Sequence, residues 1–474
     1  MKYPRVKNYV GGQFVEFAGK EVAVVSPVDG DVLSSVPRSG MNEVAAAVQA
    51  AKGAFGAWSA KTLRQRSAVM YAYRELLARH TGELAELIHL ENGKMVEEAR
   101  AEIVRAMEVT EFACSLPQMA AGEVLEVSPG VECRVDRAAL GVVASIAPFN
   151  FPMMVPHWTI PIAIALGNTM VFKPSDKVPL SAVRTAELLA EAGLPAGVFN
   201  VVHGEQAAVE ALCDHPDIEA ITFVGSTNIA KAVYVRATGH LKRALCLGGA
   251  KNHLIVLPDA PAESTAENVV ASMSGCAGQR CMAGASMVAV GEVEAIIEQV
   301  CAVARRLVPG KNVGPVISGA AKERIERYIN EAERAGAKVL VDGRGAVVPG
   351  RGKGFYVGPT VIDHVRPEMK IAQEEVFGPV LAILRVKDAD EAVALENASP
   401  YGNAAAIYTR SGPAARSLAR RASAGMIGIN IGVPVPLEPF GFGGWNDSKF
   451  GVGDITGKNS LEFWTQAKKT TTRW

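Results

Sequence analysis

The run from Ser274 to Ala283, Ser-Gly-Cys-Ala-Gly-Gln-Arg-Cys-Met-Ala, carries the residues best suited to covalent chemistry. Cys281 is the candidate nucleophile. A thiolate is the reactive form of cysteine, and the adjacent Arg280 cation is expected to lower the thiol pKa. The small residues around it let the backbone lie close to a ligand. A single cysteine equally fits a plain buried core position, so Cys281 needs partners. Asn150, in Pro148-Phe-Asn-Phe-Pro, offers an amide that donates to a developing oxyanion or only ties a buried loop. Lys173-Pro-Ser-Asp follows a strand-like run. A lysine donor beside the Asp176 acceptor suits the two hydroxyls of a ribose. The same residues make an ordinary helix start, and from the residues alone that plainer reading is preferred. Phe223-Val-Gly-Ser-Thr places Ser226 between a strand and a helix, where backbone N–H groups meet a pyrophosphate or simply cap a turn. Arg105 shares its helix with Glu102 and Glu108, as an ion-paired surface arginine would. No strand is followed by Gly-x-Gly-x-x-Gly, and neither a phosphate loop nor His-Glu-x-x-His occurs. Kinase-like transfer and zinc hydrolysis lack their markers, and no metal is expected.

These side chains need a scaffold. From Met41 to about Leu116, apolar residues recur at helical spacing, as in Leu76, Leu77, His80 and Leu84. From Gly141 the rhythm changes to strand and helix in alternation. Strands are predicted at Gly141–Ala147, Thr169–Lys173, Phe199–Val202, Ala220–Val224 and Arg243–Leu247. Helices are expected over 179–193, 205–213 and 228–240. The second half repeats the pattern, with strands near 253–256, 286–290, 338–341, 380–385, 404–408 and 426–429, and helices over 263–273, 293–308, 320–335 and 388–398. The fold class is therefore α/β with doubly wound sheets, whose ligands sit beyond the carboxyl ends of strands. Two alternating runs around Ser128-Pro-Gly predict a hairpin over 122–137. Glu462 to Trp474 reads as a terminal strand. An unpaired strand of that length is an exposed edge, so it is expected to pair across a subunit interface involving the hairpin.

Composition narrows the function. A chain of 474 residues forms two or three domains. Lys+Arg and Asp+Glu are both 49, which gives no reason to invoke nucleic acid or an anionic membrane. No apolar run reaches the length of a membrane span. The opening Met-Lys-Tyr-Pro-Arg-Val-Lys lacks the apolar core of a secretory leader. Seven scattered cysteines without a Cys-x-x-Cys pair argue against disulfides, and a cytoplasmic location is expected.

Taken in order, Pro148-Phe-Asn-Phe-Pro, Ile164-Ala-Leu-Gly-Asn-Thr, Phe172-Lys-Pro-Ser, Phe223-Val-Gly-Ser-Thr, Gly278-Gln-Arg-Cys, Glu374-Glu-Val-Phe-Gly-Pro and Pro439-Phe-Gly-Phe-Gly-Gly resemble the aldehyde dehydrogenase superfamily. Pro152-Met-Met-Val-Pro-His-Trp, Gly249-Ala-Lys-Asn-His and Gln279-Arg-Cys-Met-Ala are most similar to its CoA-acylating methylmalonate-semialdehyde dehydrogenases. Hydrolytic members carry a water-activating glutamate before Leu-Gly-Gly. Here Cys246 takes that position by motif alignment and Leu247 by counting back from Cys281; neither is a carboxylate.

The resemblance implies two Rossmann-like domains with a small β arm: a NAD-binding domain over 1–121 and 138–246, a catalytic domain over 247–440, and an oligomerisation arm over 122–137 and 456–474. It implies a homo-oligomer, a dimer of dimers. It assigns Cys281 as nucleophile and Asn150 as oxyanion donor, with Arg105 and Arg280 at the substrate carboxylate. It points to Ala147, Phe149, Lys173, Asp176, Lys177, Ser226, Gly248, Glu375 and Phe377 for NAD. Asp176 stands where many relatives carry glutamate, and with Lys177 beside it NADP stays open. The implied reaction is NAD-dependent oxidation of methylmalonate or malonate semialdehyde, with CO2 loss and acyl transfer to CoA as co-substrate. Water has a pKa of about 15.7 and needs a base; a thiol at about 8.5 needs far less help. The competing readings are a hydrolytic NAD(P)-dependent aldehyde dehydrogenase and a catalytically dead binding protein of the same fold.

Overall fold

The computed structural model describes all 474 residues, Met1–Trp474. Five parallel strands make the centre of its first sheet: Val142–Ile146, Thr169–Lys173, Phe199–Val201, Ile218–Val224 and Arg243–Leu247. They are short, apolar and almost wholly buried, as a sheet covered on both faces requires. In space the order runs from Phe199–Val201 through Thr169–Lys173 and Val142–Ile146 to Ile218–Val224 and Arg243–Leu247. The winding therefore reverses between Val142–Ile146 and Ile218–Val224, and a crevice opens beyond their carboxyl ends. Asn8–Val10 and Gln13–Val15 extend one edge antiparallel, and Lys449–Phe450 closes the other.

The second sheet has seven strands, ordered Lys338–Val341, Thr360–Asp363, Val380–Val386, Gly284–Val290, Asn252–Val256, Ala404–Tyr408 and Met426–Ile429. All are parallel to their neighbours except Lys338–Val341. Parallel strands start at one edge. The residues just before four of them, Gly248–Lys251, Cys281–Ala283, Glu374–Gly378 and Tyr401–Asn403, are thus delivered side by side. Thr360–Asp363 was not anticipated. It is only four residues long, with Val361 and Ile362 buried in cores on opposite faces, so it shows no alternation of apolar and polar residues.

The helical stretch resolves into Met41–Ser59, Leu63–Arg79, Thr81–Asn92 and Val96–Met119. Thr62 and Gln65 cap the second reciprocally, side chain to backbone N–H in each direction. The third ends at Gly93, whose φ of +90° favours glycine. The helices expected in the second half lie at Ala262–Ser274, Glu294–Arg306, Gly319–Arg334 and Ala389–Asn397. No helix is long and apolar enough to cross a membrane.

The hairpin is formed by Glu123–Ser128 and Val131–Ala139. The tail corrects the sequence expectation. Ser460–Trp464 is a short helix, and the strand Thr465–Arg473 pairs along its whole length with Val131–Ala139 of the same chain, from Thr465 opposite Ala139 to Arg473 opposite Val131. Arg243 fixes where the tail leaves the body, donating to the carbonyls of Glu462, Phe463 and Thr465 at 2.9, 3.1 and 2.6 Å. Pairing within the chain satisfies one edge of the tail, with Val131–Ala139 central and the tail and Glu123–Ser128 as the two outer strands, the latter exposed throughout.

Candidate active site

The crevice of the first sheet faces the strand starts of the second, and a cavity of about 600 Å³ lies between them. Cys281, Asn150, Phe149, Lys177, Ser226, Gly248, Glu375 and Phe377 all line it. Residues far apart in the chain are brought together because each sits at a strand end.

Cys281 follows a strained turn. Cys276 and Ala277 have φ of +52° and +53°, a left-handed conformation that costs a non-glycine residue energy. Gly278 continues it at φ +70°, and a Cβ there would stand 2.1 Å from the carbonyl oxygen of Gly378. Only glycine lets the nucleophile segment approach the Glu374–Gly378 loop this closely. The Cys281 carbonyl accepts from the side-chain amides of Asn252 and Asn403, both at 2.8 Å. The Asn150 amide donates to the Gln279 carbonyl at 3.1 Å, which brings the oxyanion candidate onto the cysteine segment.

The charge environment of Cys281 corrects the sequence reading. Burial first, and then Glu375, push its thiol up to about 12; the Arg280 cation and the backbone N–H groups of Cys281 and Met282 act in the opposite direction and lose. The Arg280 guanidinium turns away, donating to the carbonyls of Ala271 and of Ser272, the latter at 3.0 Å. Adjacency in sequence did not fix the direction of that side chain. Glu375 is itself raised to about 7, chiefly by burial, while the Ala250 N–H, 3.1 Å away, and the Lys251 cation pull it back.

Arg105 does not line this cavity. It opens onto a neighbouring cleft with Leu437 and Glu438. It pairs with Glu108, donates to the Pro436 carbonyl at 3.3 Å and lies 3.8 Å from the Glu438 carboxylate.

Alternation along Arg243–Leu247 sends its last two residues to opposite faces of the sheet. Leu247 belongs to the core against which Cys281 packs, whereas Cys246 points into the other core. Neither side chain lines the cavity.

Of the remaining sequence candidates, Ala147, Lys173 and Asp176 are not among the residues lining the cavity. Lys173 is buried and donates to the carbonyls of Pro174 and Gly204 at 2.7 and 2.8 Å. An ammonium has three N–H groups, so one remains. Burial lowers Lys173 to about 8, against the pull of Asp176 and Glu205. Asp176 lies within hydrogen-bond range of the Ser175 hydroxyl at 3.4 Å. The Ala147 N–H donates to the Lys173 carbonyl at 3.1 Å. Ser226 caps the helix Thr227–Gly239 without making a side-chain cap bond, so its hydroxyl and the first N–H groups stay available. The Phe149 and Phe377 rings meet edge to face at 5.9 Å, with the Lys177 ammonium 5.5 Å from the Phe149 centroid.

Sequence reasoning missed Thr227, whose hydroxyl accepts from the Gly249 N–H at 2.8 Å, and Tyr401 on the same wall. It also missed Arg324 and Tyr328, one turn apart on Gly319–Arg334. Arg324 donates to the Val376 carbonyl at 3.1 Å, and the Tyr328 hydroxyl donates to Glu374. Their only signal was an i, i+4 spacing on an amphipathic helix, which many surface residues share.

The family model for the aldehyde dehydrogenase family matches residues 14–470. Malonate-semialdehyde dehydrogenase 2 of Geobacillus thermodenitrificans (strain NG80-2) is 44% identical over 477 residues, covering 99% of each chain. Among solved structures, a methylmalonate-semialdehyde dehydrogenase from Oceanimonas doudoroffii superposes with a TM-score of 0.98 at 40% identity, over 100% of this chain and 99% of that one. A Sinorhizobium meliloti 1021 protein, assigned to the same activity and solved with NAD, superposes at 0.97 with 40% identity, over 100% and 98%. A nucleophile segment, an amide donor and a capped helix start around one crevice agree with that likeness along nearly the whole sequence, and the chain belongs to the aldehyde dehydrogenase family.

Proposed function

We propose that this protein oxidises malonate semialdehyde or methylmalonate semialdehyde with NAD and hands the acyl group to CoA. The observation that carries the reading is the pairing of Cys281 and Asn150 at one cavity, with no carboxylate at Cys246 or Leu247, the two positions that answer to the hydrolytic glutamate. The 44% identity to a malonate-semialdehyde dehydrogenase supports the substrate class.

The Cys281 thiolate adds to the aldehyde carbon, and the carbonyl oxygen becomes an oxyanion. The Asn150 amide and the Cys281 N–H stabilise that charge as it develops. Bound NAD supplies the acceptor for the hydride that leaves the same carbon. A thioester on Cys281 remains. Its acyl group carries a carboxylate β to the carbonyl, so the C–C bond breaks to CO2 and an enolate, which takes a proton. The CoA thiolate then displaces Cys281. Glu375, a carboxyl on this cavity, is assigned to the nicotinamide ribose, and neither Cys246 nor Leu247 offers water a base, so the thioester waits for the thiol.

The residues fit the dinucleotide. Lys173, with one free N–H, and Asp176 would hold the adenosine ribose. Ser226 and the helix start would take the pyrophosphate. Glu375 and Phe377 would flank the nicotinamide ribose, and Gly248 the ring. Ala147, Phe149 and Lys177 would complete the wall. Arg105 and Arg280 are proposed for the substrate carboxylate, since a guanidinium binds carboxylate in two-pronged fashion; the Nε of each makes no hydrogen bond. The exposed edge Glu123–Ser128, with Val124, Leu125 and Val127 outward, suits pairing with a second copy in a dimer of dimers. A cytoplasmic location belongs to the same proposal.

The test is turnover of both semialdehydes with NAD, with and without CoA, and identification of products by mass. Without CoA, one equivalent of NADH per Cys281 followed by near arrest is expected; with CoA, steady turnover to acetyl-CoA or propionyl-CoA. Free acid at full rate without CoA overturns the reading in favour of a hydrolytic enzyme.

A further inference from the structure

The turn between helices Thr81–Asn92 and Val96–Met119 carries Lys94 into the protein interior, where it meets Glu102 of the second helix. The Lys94 and Glu102 side chains are 1% and 0% exposed and pair with each other. Burying such a pair is expensive, and breaking it is worse. Neither residue lines the cavity, yet both reach the loop that bears Asn150. The Lys94 ammonium donates to the main-chain carbonyl of Asn150 at 2.7 Å and lies 3.7 Å from the Phe151 ring centroid. One Glu102 oxygen accepts from the N–H groups of Met153 and Met154 at 2.7 and 3.1 Å. Positive and negative ends of one ion pair thus grip the peptides on either side of Phe151-Pro152. Gly93 makes this possible by ending the preceding helix in a left-handed turn that sends Lys94 inward.

We infer that Lys94 and Glu102 are positioning residues for the oxyanion donor, acting through the backbone of Asn150 to Met154. The inference rests on the role proposed for Asn150. An amide donor is effective only when held where the oxyanion forms, and a displacement of about 1 Å costs on the order of 100-fold in rate. A carbonyl gripped by an ammonium and amides gripped by a carboxylate resist that displacement more than neutral bonds do. The Asn150 amide is then aimed from behind by one ion pair and from the front by the Gln279 carbonyl.

The test replaces both charges together, so that no unpaired charge is left inside. Lys94→Met/Glu102→Leu removes the grip; Lys94→Met/Glu102→Gln keeps an acceptor for Met153 and Met154. Acylation of Cys281 is followed by p-nitrophenolate release from p-nitrophenyl acetate, which needs neither NAD nor a semialdehyde. Failure of the substrate assignment therefore leaves this readout intact. Alkylation of Cys281 by iodoacetamide, which forms no oxyanion, serves as the control. Lys94→Met/Glu102→Leu is expected to slow acylation roughly 100-fold while alkylation changes by less than about threefold; the glutamine variant recovers part of the loss. In an Asn150→Ala background the same double replacement is expected to have almost no further effect. Losses that multiply in full with Asn150→Ala, or that fall equally on alkylation, overturn the inference. Thermal melts run alongside: a variant that melts early yet shows the coupling supports positioning, and one that melts early without it overturns it.

Discussion

The side-chain amide of Asn403 donates to the main-chain carbonyl of Cys281 at 2.8 Å, across 122 residues of chain. Asn252 donates to the same oxygen at 2.8 Å and also to the Ala283 carbonyl at 2.9 Å. Both asparagines stand at the start of a strand, so the sheet itself fixes the Cys281–Met282 peptide, the one directly after the peptide whose Cys281 N–H is to meet the oxyanion. Asn403→Ala leaves one of the two donors and is expected to lower kcat about three- to tenfold with the NAD Kd unchanged. Asn403→Ala with Asn252→Ala frees the peptide, and on the order of 100-fold is expected, as for other misplaced catalytic groups. Single-turnover NADH formation is the measurement; an unchanged rate in the double variant sinks the idea.

Glu375 raises the Cys281 thiol and is itself raised to about 7. Removing its charge with Glu375→Gln is expected to bring the thiol pKa down and speed iodoacetamide alkylation at pH 8 to 9, although NAD turnover falls. The same replacement has a stability signature. The native carboxyl binds its proton more tightly than the unfolded one near 4.5, so wild type loses stability as pH rises from about 4.5 to about 7. Relative to wild type, Glu375→Gln should gain over that window and hold the gain above it. The size is roughly 1–3 kcal/mol, because cavity water screens part of the penalty. Melting temperatures of both proteins from pH 4.5 to 8.5 measure it; a difference independent of pH contradicts it.

Leu247 shares a core with Cys281, and neither it nor Cys246 is a carboxylate. Leu247→Glu is expected to raise CoA-independent release of free acid about 100-fold above pH 8, the low end for a general base. Leu247→Gln, of the same shape, should not. The glutamate is costly to bury, so a lower melting temperature is expected as well. Equal free-acid rates in the two variants would show that deacylation is not limited by a missing base.

Arg105 already carries Glu108 and the Glu438 carboxylate, 3.8 Å away. Arg105→Leu is expected to raise KM for malonate semialdehyde at least tenfold more than for propionaldehyde, as loss of a charge-assisted pair implies. Equal effects on both aldehydes would remove Arg105 from the substrate site.

Much of this site was legible in the sequence because its chemistry lies in short motifs at strand ends. Asn150, Ser226, Cys281 and Glu375 each announce themselves by their neighbours, and the alternation of strand and helix said where those ends fall. The supporting residues were not legible. Lys94 acts on Asn150 from 56 positions away, and Asn403 looks like any turn asparagine. Their roles are created by the fold, and no local pattern encodes a contact made at that distance. The Arg280 direction failed for a related reason: a neighbour in sequence is a neighbour in charge only if its side chain turns the same way. The tail was read correctly as a strand, but its partner was taken to be another subunit, because sequence alone does not reveal how close Val131–Ala139 lies.

The carboxyl ends of one sheet meet the amino ends of the other, and the oxyanion donor and the sulfur stand on opposite banks of that junction. Neither bank is an enzyme alone. A hinge-like give of a few tenths of an ångström between them would detune the reaction before any core is exposed to solvent, so mild urea should silence turnover while the tryptophan emission of the buried Trp58, Trp158 and Trp464 still reports a folded chain.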